Sequence, residues 1–170
     1  MPTTLISIVL GIALLGILAS MAVPSSHAVQ GERVEETARQ LKSLLQLAQS
    51  RSIATGISHG VRYDPDIPVF ELISANLTVT PVVVLGPVND PISKQPARVT
   101  VPTGVSAPTG KPFFFNVITS AFEVYFDRWG TPIHRGASIV QLTTTSIRFE
   151  YGVHQNDVVL SPVTGRIVIN

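Results

Sequence analysis

The four histidines are the side chains best suited to bind a metal ion or transfer a proton, and they stand far apart in the chain. They are His27, His59, His134 and His154. Zinc sites usually take ligand pairs roughly two to five residues apart, and no two of these histidines meet that spacing. We therefore expect surface or strand histidines and no metal site.

Three known functional motifs are matched only in part or not at all. Asp64-Pro65-Asp66 has the spacing that begins a calcium loop, but the later glycine and glutamate are missing. Gly110-Lys111 is not a phosphate-binding loop, because no glycine stands five residues earlier and no serine or threonine follows. The G-x-S-x-G motif of serine hydrolases does not occur, and there is no cysteine. We expect no cofactor and a protein that is not an enzyme.

Charge is absent from the first 31 residues. All of the 12 basic and 11 acidic side chains lie between Glu32 and Arg166, and the net charge is +1. A nucleic-acid-binding protein usually shows a strong basic excess, so the composition does not favour DNA as a partner. The uncharged first segment needs an explanation of its own.

That segment contains an apolar run, Leu5–Val23, of nineteen residues. As a helix it would be about 28 Å long, close to the hydrocarbon thickness of a bilayer. A cleavable signal peptide is the competing interpretation. The run has no lysine or arginine in front of it and is longer than a typical signal-peptide core, so we favour a retained membrane anchor.

A second helical pattern follows the apolar run. Between Glu32 and Ala54 the spacing of apolar residues by three and four predicts one buried helix face. The face consists of Val34, Ala38, Leu41, Leu45 and Ala48, widened by Leu44 and Leu47. Gly56 is suited to end the helix. We expect one long helix, membrane-spanning in its first half and amphipathic in its second.

The remainder of the chain predicts short strands separated by Gly, Pro, Asn and Asp. The strand-like runs are 59–63, 69–73, 77–85, 97–101, 113–118, 122–126, 139–143, 147–151, 158–160 and 166–169. With no further helical pattern between them, they favour antiparallel pairing with one face on the amphipathic helix. The fold class is therefore α+β: a long N-terminal helix packed on an antiparallel β-sheet domain.

The chain thus divides into residues 1–30, an apolar transmembrane helix; 31–56, an amphipathic helix; and 57–170, a β-rich domain. Within the last part, the proline-rich residues 86–112 are longer than an ordinary connection. We expect an irregular excursion there with one strand inside it, at 97–101. It is either a loop that contacts a partner or a solvated insertion, and we favour the insertion.

The N-terminal region resembles the type IV pilin and pseudopilin family. Residues Thr3-Thr4-Leu5-Ile6-Ser7 align with the family's F-T-L-I-E motif, and Ala22-Val23-Pro24-Ser25 matches its common A-V-P-S form. Residues 36–56 are similar to the corresponding stretch in the minor pseudopilins of the GspH/FimT type. The resemblance covers the first 56 residues most closely.

Two C-terminal motifs also resemble that subgroup. Phe126, Gly130 and Pro132 lie at the spacing of its F-x-x-x-G-x-P turn. Ser161, Gly165 and Arg166 are similar to its closing S-P-x-G-R strand.

The chain departs from the family at three N-terminal positions. Ser7 stands where most members carry the glutamate that pairs with a neighbouring subunit's amine. The resemblance implies prepilin peptidase as a partner, whereas Pro2 and Thr3 stand where that enzyme expects glycine and phenylalanine. Gly16 and Pro24 bracket a segment that we expect to lose helicity on extraction from the membrane, since both residues weaken helical hydrogen bonding.

The resemblance implies a structural role, as a minor pilin or pseudopilin subunit of a type II secretion pseudopilus or a type IV pilus. Its implied partners are other pilin or pseudopilin subunits, reached through the N-terminal helix. It also implies single-pass anchoring in the bacterial inner membrane, with the C-terminal domain in the periplasm or outside the cell.

Two alternatives stay open. One is a DNA-binding minor pilin used in DNA uptake, whose contacts would be limited to Arg128, Arg135, Arg148 and Arg166. The other is a singly anchored or secreted β-domain unrelated to filaments.

Overall fold

The computed structural model describes residues 9–13, 15, 26–64, 66–76, 83–109, 115–116, 121–135, 139–141 and 145–170. Most of the apolar run, including Gly16, lies outside these residues, and so does Pro24; residues 9–13 and 15 are helical. Within the described part of the chain, no helix has both the length and the hydrophobicity needed to cross a membrane.

The long helix, α1, extends over Ser26–Thr55. Residues 26–31 are helical, as the expectation of one long helix through this region requires. Gly31 sits inside the first part of the helix, and a Cβ atom there would lie 3.2 Å from His154 Nδ1. The glycine therefore lets the strand that carries His154 pack closely on the helix. At the other end, Gly56 N donates to Ser52 O at 3.0 Å and ends the helix as predicted.

The predicted apolar face of α1 is confirmed. Val34, Ala38, Leu41, Leu45 and Ala48 have no exposed surface. Two polar residues share the buried face and were not predicted there, namely Thr37 and Ser52. Each hydroxyl donates to a carbonyl four residues earlier, Thr37 Oγ1 to Arg33 O at 2.7 Å and Ser52 Oγ to Ala48 O at 3.0 Å. These bonds remove the cost of burying the hydroxyl groups.

Twelve strands follow in the described residues. They are β1 Ser58–Asp64, β2 Val69–Asn76, β3 Val83–Pro87, β4 Arg98–Thr100, β5 Ser106–Thr109, β6 Phe115–Asn116, β7 Ala121–Phe126, β8 Pro132–Arg135, β9 Ile139–Gln141, β10 Thr145–Tyr151, β11 His154–Leu160 and β12 Ile167–Ile169. Strands β5 and β8 were not predicted, because each contains a proline and neither alternates cleanly between apolar and polar residues. Residues 77–82 of the third predicted strand lie outside the described part.

The strands form two antiparallel sheets in the described residues, where the sequence predicted a single sheet domain. The first has the order β3-β2-β1-β7-β8-β9, with β4 also pairing with β2 and β6 with β7. The second has the order β12-β11-β10-β5. Helix α1 contacts strands of both sheets. Together they enclose one main core on the helix side of the first sheet.

Three aromatic rings join the two sheets through this core. Phe70 of β2 lies 4.6 Å from Tyr63 of β1 between ring centroids. The same Phe70 meets Phe149 of β10, in the second sheet, edge to face at 5.8 Å. Phe149 and Phe70 are 0% and 1% exposed, so this contact forms the centre of the domain.

The proline-rich residues 86–109 are part of the domain, which corrects the expected solvated insertion. Leu72 N donates to Ala97 O, and Val88 N donates to Leu72 O, so two points of this segment bond to β2. The predicted strand inside it is confirmed as β4. Four apolar side chains of this region are buried in the main core: Ala97, Val99, Val101 and Val105. The prolines hid this role because they interrupt the alternation by which a strand is recognised.

Candidate functional site

The two C-terminal motifs meet at the last turns of helix α1. Gln49, a half-buried residue of the helix, donates from Nε2 to Gly130 O at 2.9 Å. A Cβ atom on Gly165 would lie 2.3 Å from the same Nε2 and 2.6 Å from Gly130 O. Residues separated by 35 positions in sequence therefore touch one another and the helix. We call this arrangement of Gln49, residues 127–131 and residues 161–166 the junction.

The first half of the junction is a tight turn held by Asp127. Its Oδ1 accepts from Trp129 N and from Thr131 N, both at 2.8 Å. Gly130 has a φ of +78°, which the turn requires and which glycine adopts without strain. The motif residues on either side, Phe126 and Pro132, are buried. The predicted turn is therefore present and anchored in the core.

The second half corrects the expected closing strand. Ser161 N donates to Arg166 O, and Gly165 N donates to Ser161 O, both at 3.0 Å. Residues Ser161 to Arg166 thus form the turn between β11 and β12, and the strand begins only at Ile167. Gly165 is buried in this turn with a φ of +63°, whereas Arg166 is exposed.

The remaining predicted assembly and processing residues cannot be placed. Pro2, Thr3, Ser7, Gly16 and Pro24 lie outside the described residues. Among the neighbours that are described, Val9, Leu10, Ile12 and Leu15 are helical and between 58% and 68% exposed. A Cβ atom on Gly11 would meet nothing within 4 Å. These apolar residues are not covered by the described part of the domain.

Two of the arginines proposed for DNA contact, Arg148 and Arg128, have partners within the described part of the domain. Arg148 makes a two-point ion pair with Asp157, Nε to Oδ1 at 2.8 Å and Nη2 to Oδ2 at 3.0 Å. The hydrogen bond from Arg148 lowers the pKa of the Asp157 carboxyl, and the pair raises the pKa of Arg148. Arg128 instead lies over the ring of Trp129, 4.9 Å from its centroid.

Asp64 and His154, two of the residues considered for metal chemistry, make local contacts within the domain. Asp64 Oδ1 accepts from Asp66 N at 3.0 Å, which makes the Asp-x-Asp motif a turn. His154 packs on Gly31 of the helix. Among the described residues no group of three or more His, Asp or Glu side chains is arranged to hold a metal ion.

His59 is buried where β1 meets the end of α1. It is 6% exposed, its Nδ1 lies 2.8 Å from Ile57 O, and its backbone N donates to Ser52 Oγ at 2.8 Å. Burial lowers the pKa of the imidazole below 6.5, and the nearby Arg51 lowers it further, against the opposing effect of the Ile57 carbonyl. Protonation of His59 therefore disfavours the folded state.

We expect the stability of the domain to fall below pH 6.5 because of His59. Above that pH the imidazole is neutral in both states, so the pH has no effect through this group. As the pH drops through 6.5 the unfolded chain takes up a proton that the folded chain resists, which lowers the free energy of unfolding. Thermal unfolding of the full chain and of His59→Gln across this range tests it: the two profiles should diverge below pH 6.5. Identical slopes would contradict it.

An exposed patch borders the junction. Trp129 is 73% exposed, Val163 79% and Ile53 56%. A Cβ atom on Gly130 would lie 2.9 Å from Ile53 Cδ1, which places the Trp129 turn directly against Ile53. Large apolar side chains grouped in this way mark interaction surfaces more often than isolated ones do. We call Ile53, Arg128 and Trp129 the junction patch.

A long helix packed on antiparallel sheets defines an α+β fold. Comparison with solved structures finds proteins with a similar fold. One structure of the minor pseudopilin EpsH from the type 2 secretion system of Vibrio cholerae matches with a TM-score of 0.53 and 14% identity, over 81% of this chain and 96% of that one. A second structure of EpsH matches with a TM-score of 0.56 and 13% identity, over 82% and 94%.

This similarity shows that the chain has the pseudopilin fold. The sequence matches no protein-family model and no curated protein.

Proposed function

We propose that this protein is a structural subunit, a minor pseudopilin or pilin, of a type II secretion pseudopilus or a type IV pilus. It is held in the inner membrane by its N-terminal helix and carries its domain on the periplasmic side. Its role is assembly with other subunits, not catalysis.

The observation that carries the proposal is the set of uncovered apolar residues on a domain with the EpsH fold. Val9, Leu10, Ile12 and Leu15 point in different directions around a helix at about 100° per residue, yet each is more than half exposed. Such a segment needs either lipid or neighbouring helices around it. A filament subunit uses both in turn, lipid before assembly and other subunit helices afterwards.

Close packing of the helices is supported by Gly11. Nothing lies within 4 Å of the position of a Cβ atom there, so this side of the segment is open. Small residues allow two helix backbones to approach closely within a membrane or a helical bundle. Gly16, although outside the described residues, extends the same argument along the sequence.

The experiment is a charge placed in the apolar segment of the full chain. Ile12→Asp puts a carboxylate near the middle of the run, where a charged residue costs about 2.5–3.5 kcal/mol in a membrane helix. We expect the variant to leave the membrane fraction and to lose cross-linking to co-expressed pilin-type subunits. Fractionation and photo-cross-linking from residues in the run measure the two effects.

Ile92→Asp is the matched control. Ile92 is 90% exposed at the tip of a loop of the domain, so the same chemical change there should alter neither readout. If Ile12→Asp remained in the membrane and kept its cross-links as Ile92→Asp does, the proposed function would be wrong.

A further inference from the structure

We propose that the turn between β10 and β11 rests on the zwitterionic lipid headgroups of the bilayer that holds the N-terminal segment, before the subunit is assembled. The turn consists of Gly152 and Val153, and we call it the hairpin tip. The inference rests on the proposed function, because a lipid surface lies beside the domain only if the N-terminal segment is a membrane anchor. The contact would hold the domain in one orientation while the subunit waits for assembly.

The contacts at the two ends of β11 fix the direction of this strand along α1. At its start, a Cβ atom on Gly31 of the helix would lie 3.2 Å from His154 Nδ1. In the turn after its end, a Cβ atom on Gly165 would lie 2.3 Å from Gln49 Nε2. Gly31 and Gln49 are about 27 Å apart along the helix. The hairpin tip therefore lies at the N-terminal end of α1, and the junction lies toward the opposite end.

The N-terminal end of α1 is the end that follows the apolar run. A Cβ atom on Gly152 would lie 3.5 Å from Gln30 Oε1, so the tip is level with this part of the helix. From Val23, the end of the run, to Gln30 the chain extends about 10 Å as a helix and at most about 25 Å fully extended. The headgroup layer is about 5–8 Å thick. An anchor tilt of about 20°, average for membrane helices, brings a tip beside the helix down to this layer when it is directed to that side.

The hairpin tip presents an apolar side chain to the solvent, because Val153 is 83% exposed. Gly152 has a φ of +62° and supplies the conformation that the turn requires. Tight turns usually take Gly, Pro, Asn, Asp or Ser, so the turn itself does not explain a valine here. Partial insertion among lipid headgroups stabilises an exposed apolar group of this kind.

The surface beside the tip is also uncharged. A Cβ atom on Gly104 would lie 2.4 Å from Tyr151 Cε2, so the loop that contains Gly104 packs against the hairpin. Pro102 of this loop lines one cavity together with Val29 of α1, which is 39% exposed. Residues 99–109, which include the loop, contain no Asp, Glu, Lys or Arg. The tip and its neighbours thus form one apolar, uncharged end of the domain.

The charged side chains around this end are mostly acidic. They are Glu32 and Arg33 of α1, Glu150 of β10, and Asp64 and Asp66 of the turn between β1 and β2. A hydrogen bond from Val101 N to Pro68 O, 2.9 Å long, joins that turn to the loop. An acidic surround is repelled by anionic lipid and gains nothing from a basic patch. The lipid surface that fits is therefore zwitterionic, and the contact is made by apolar groups.

The test compares two valines at opposite ends of β11. The sequence contains no cysteine, so Val153→Cys and Val163→Cys each give the full chain a single labelling site. Val163 is 79% exposed and lies in the turn after β11, at the junction. Each variant carries the same fluorophore and is placed in vesicles of equal parts phosphatidylcholine and phosphatidylethanolamine, with a nitroxide on a fraction of the headgroups.

Because the two ends are about 27 Å apart along the helix, we expect the nitroxide to quench the label at residue 153 at least about fivefold more than the label at residue 163. Iodide dissolved in the water should quench the two labels in the reverse order. Equal quenching by the nitroxide lipid would overturn the inference.

A second comparison tests whether the valine itself makes the contact. Gln155→Cys places the fluorophore at an exposed position of β11 close to the tip. In that chain, Val153→Asp should lower quenching by the headgroup nitroxide at least about threefold, because it replaces an apolar group with a carboxylate. Val163→Asp is the matched control and should leave the quenching unchanged. No effect of Val153→Asp would contradict the proposed contact.

The lipid dependence identifies the kind of surface. Salt at about 0.5 M, which screens exposed charges, should leave the quenching unchanged. Replacing half of the lipid with anionic phosphatidylglycerol should not increase it. A strong increase with phosphatidylglycerol that salt abolishes would refute a zwitterionic, apolar contact.

A label at Leu15→Cys, in the apolar segment, separates this outcome from that of the proposed function. Quenching of that label by an acyl-chain nitroxide, without quenching at residue 153, would refute the docking and leave the membrane-anchored role standing. A chain that stays in the aqueous fraction, with the Leu15 site unquenched, would refute the proposed function itself. If iodide alone quenched the Val153 site until a second pilin-type subunit was added, and neither quencher did afterwards, the tip would be a protein interface and the inference would be wrong.

Discussion

Gly165→Ala is expected to lower the free energy of unfolding by about 3 kcal/mol or more. The alanine would have to adopt a φ of +63°, a left-handed conformation that costs about 1–3 kcal/mol. Its Cβ would also lie 2.6 Å from the backbone oxygen of Gly130 and 2.3 Å from Gln49 Nε2. Relieving that overlap requires either the turn or the helix to move, which adds about 1–3 kcal/mol. Urea unfolding of the full chain in detergent measures the loss.

Gly56→Ala separates the two contributions. Gly56 has nearly the same φ, +69°, but nothing lies within 4 Å of its Cβ position. It should therefore lose only the conformational cost, about 1–3 kcal/mol. The difference between their losses in the free energy of unfolding then measures the cost of the steric overlap at the junction. If both variants lost the same free energy, the close approach of Gly165 to the helix would be refuted.

Phe149→Ala is expected to cost about 3–5 kcal/mol, the usual range for removing a fully buried phenylalanine. The ring is 0% exposed and meets Phe70 across the interface between the two sheets. Removing the ring leaves a cavity where the two sheets meet. Because both sheets also pack on α1, we expect them not to move together and close the cavity. The same urea titration measures the change in the free energy of unfolding, which should appear as a lower midpoint.

The exposed aromatic Trp129 provides the comparison. Trp129→Ala removes a larger ring that is 73% exposed, so its effect on stability should stay within about 0.5 kcal/mol. A Phe149→Ala loss as small as that of Trp129→Ala would show that the two sheets do not share one core.

The helix shows how much of the structure the local spacing of apolar residues can predict. A spacing of three and four identified Val34, Ala38, Leu41, Leu45 and Ala48 as buried, and all five are. The expectation of one long helix also covered residues 26–31, and they are helical. The spacing did not predict that Gly31 lies against His154 of β11.

The strands show the corresponding limit. Alternation identified β1, β2, β7 and β10, whose ladders lie at the centre of the two sheets. It did not reveal that there are two sheets, because a strand's own residues do not encode which neighbour it pairs with. For the same reason the proline-rich segment looked like an insertion, although Val99 and Val101 are buried in the core.

The sequence by itself determined the class of fold, the buried face of the helix and the apolar character of the N-terminal run, because each depends on the order and spacing of nearby residues. Only the tertiary structure showed that residues 127–131 and 161–166 meet at Gln49. It also placed Trp129 beside Ile53 at that point. Such contacts depend on strand pairing and on packing between distant segments, and the free energy of these interactions is not expressed in any local pattern.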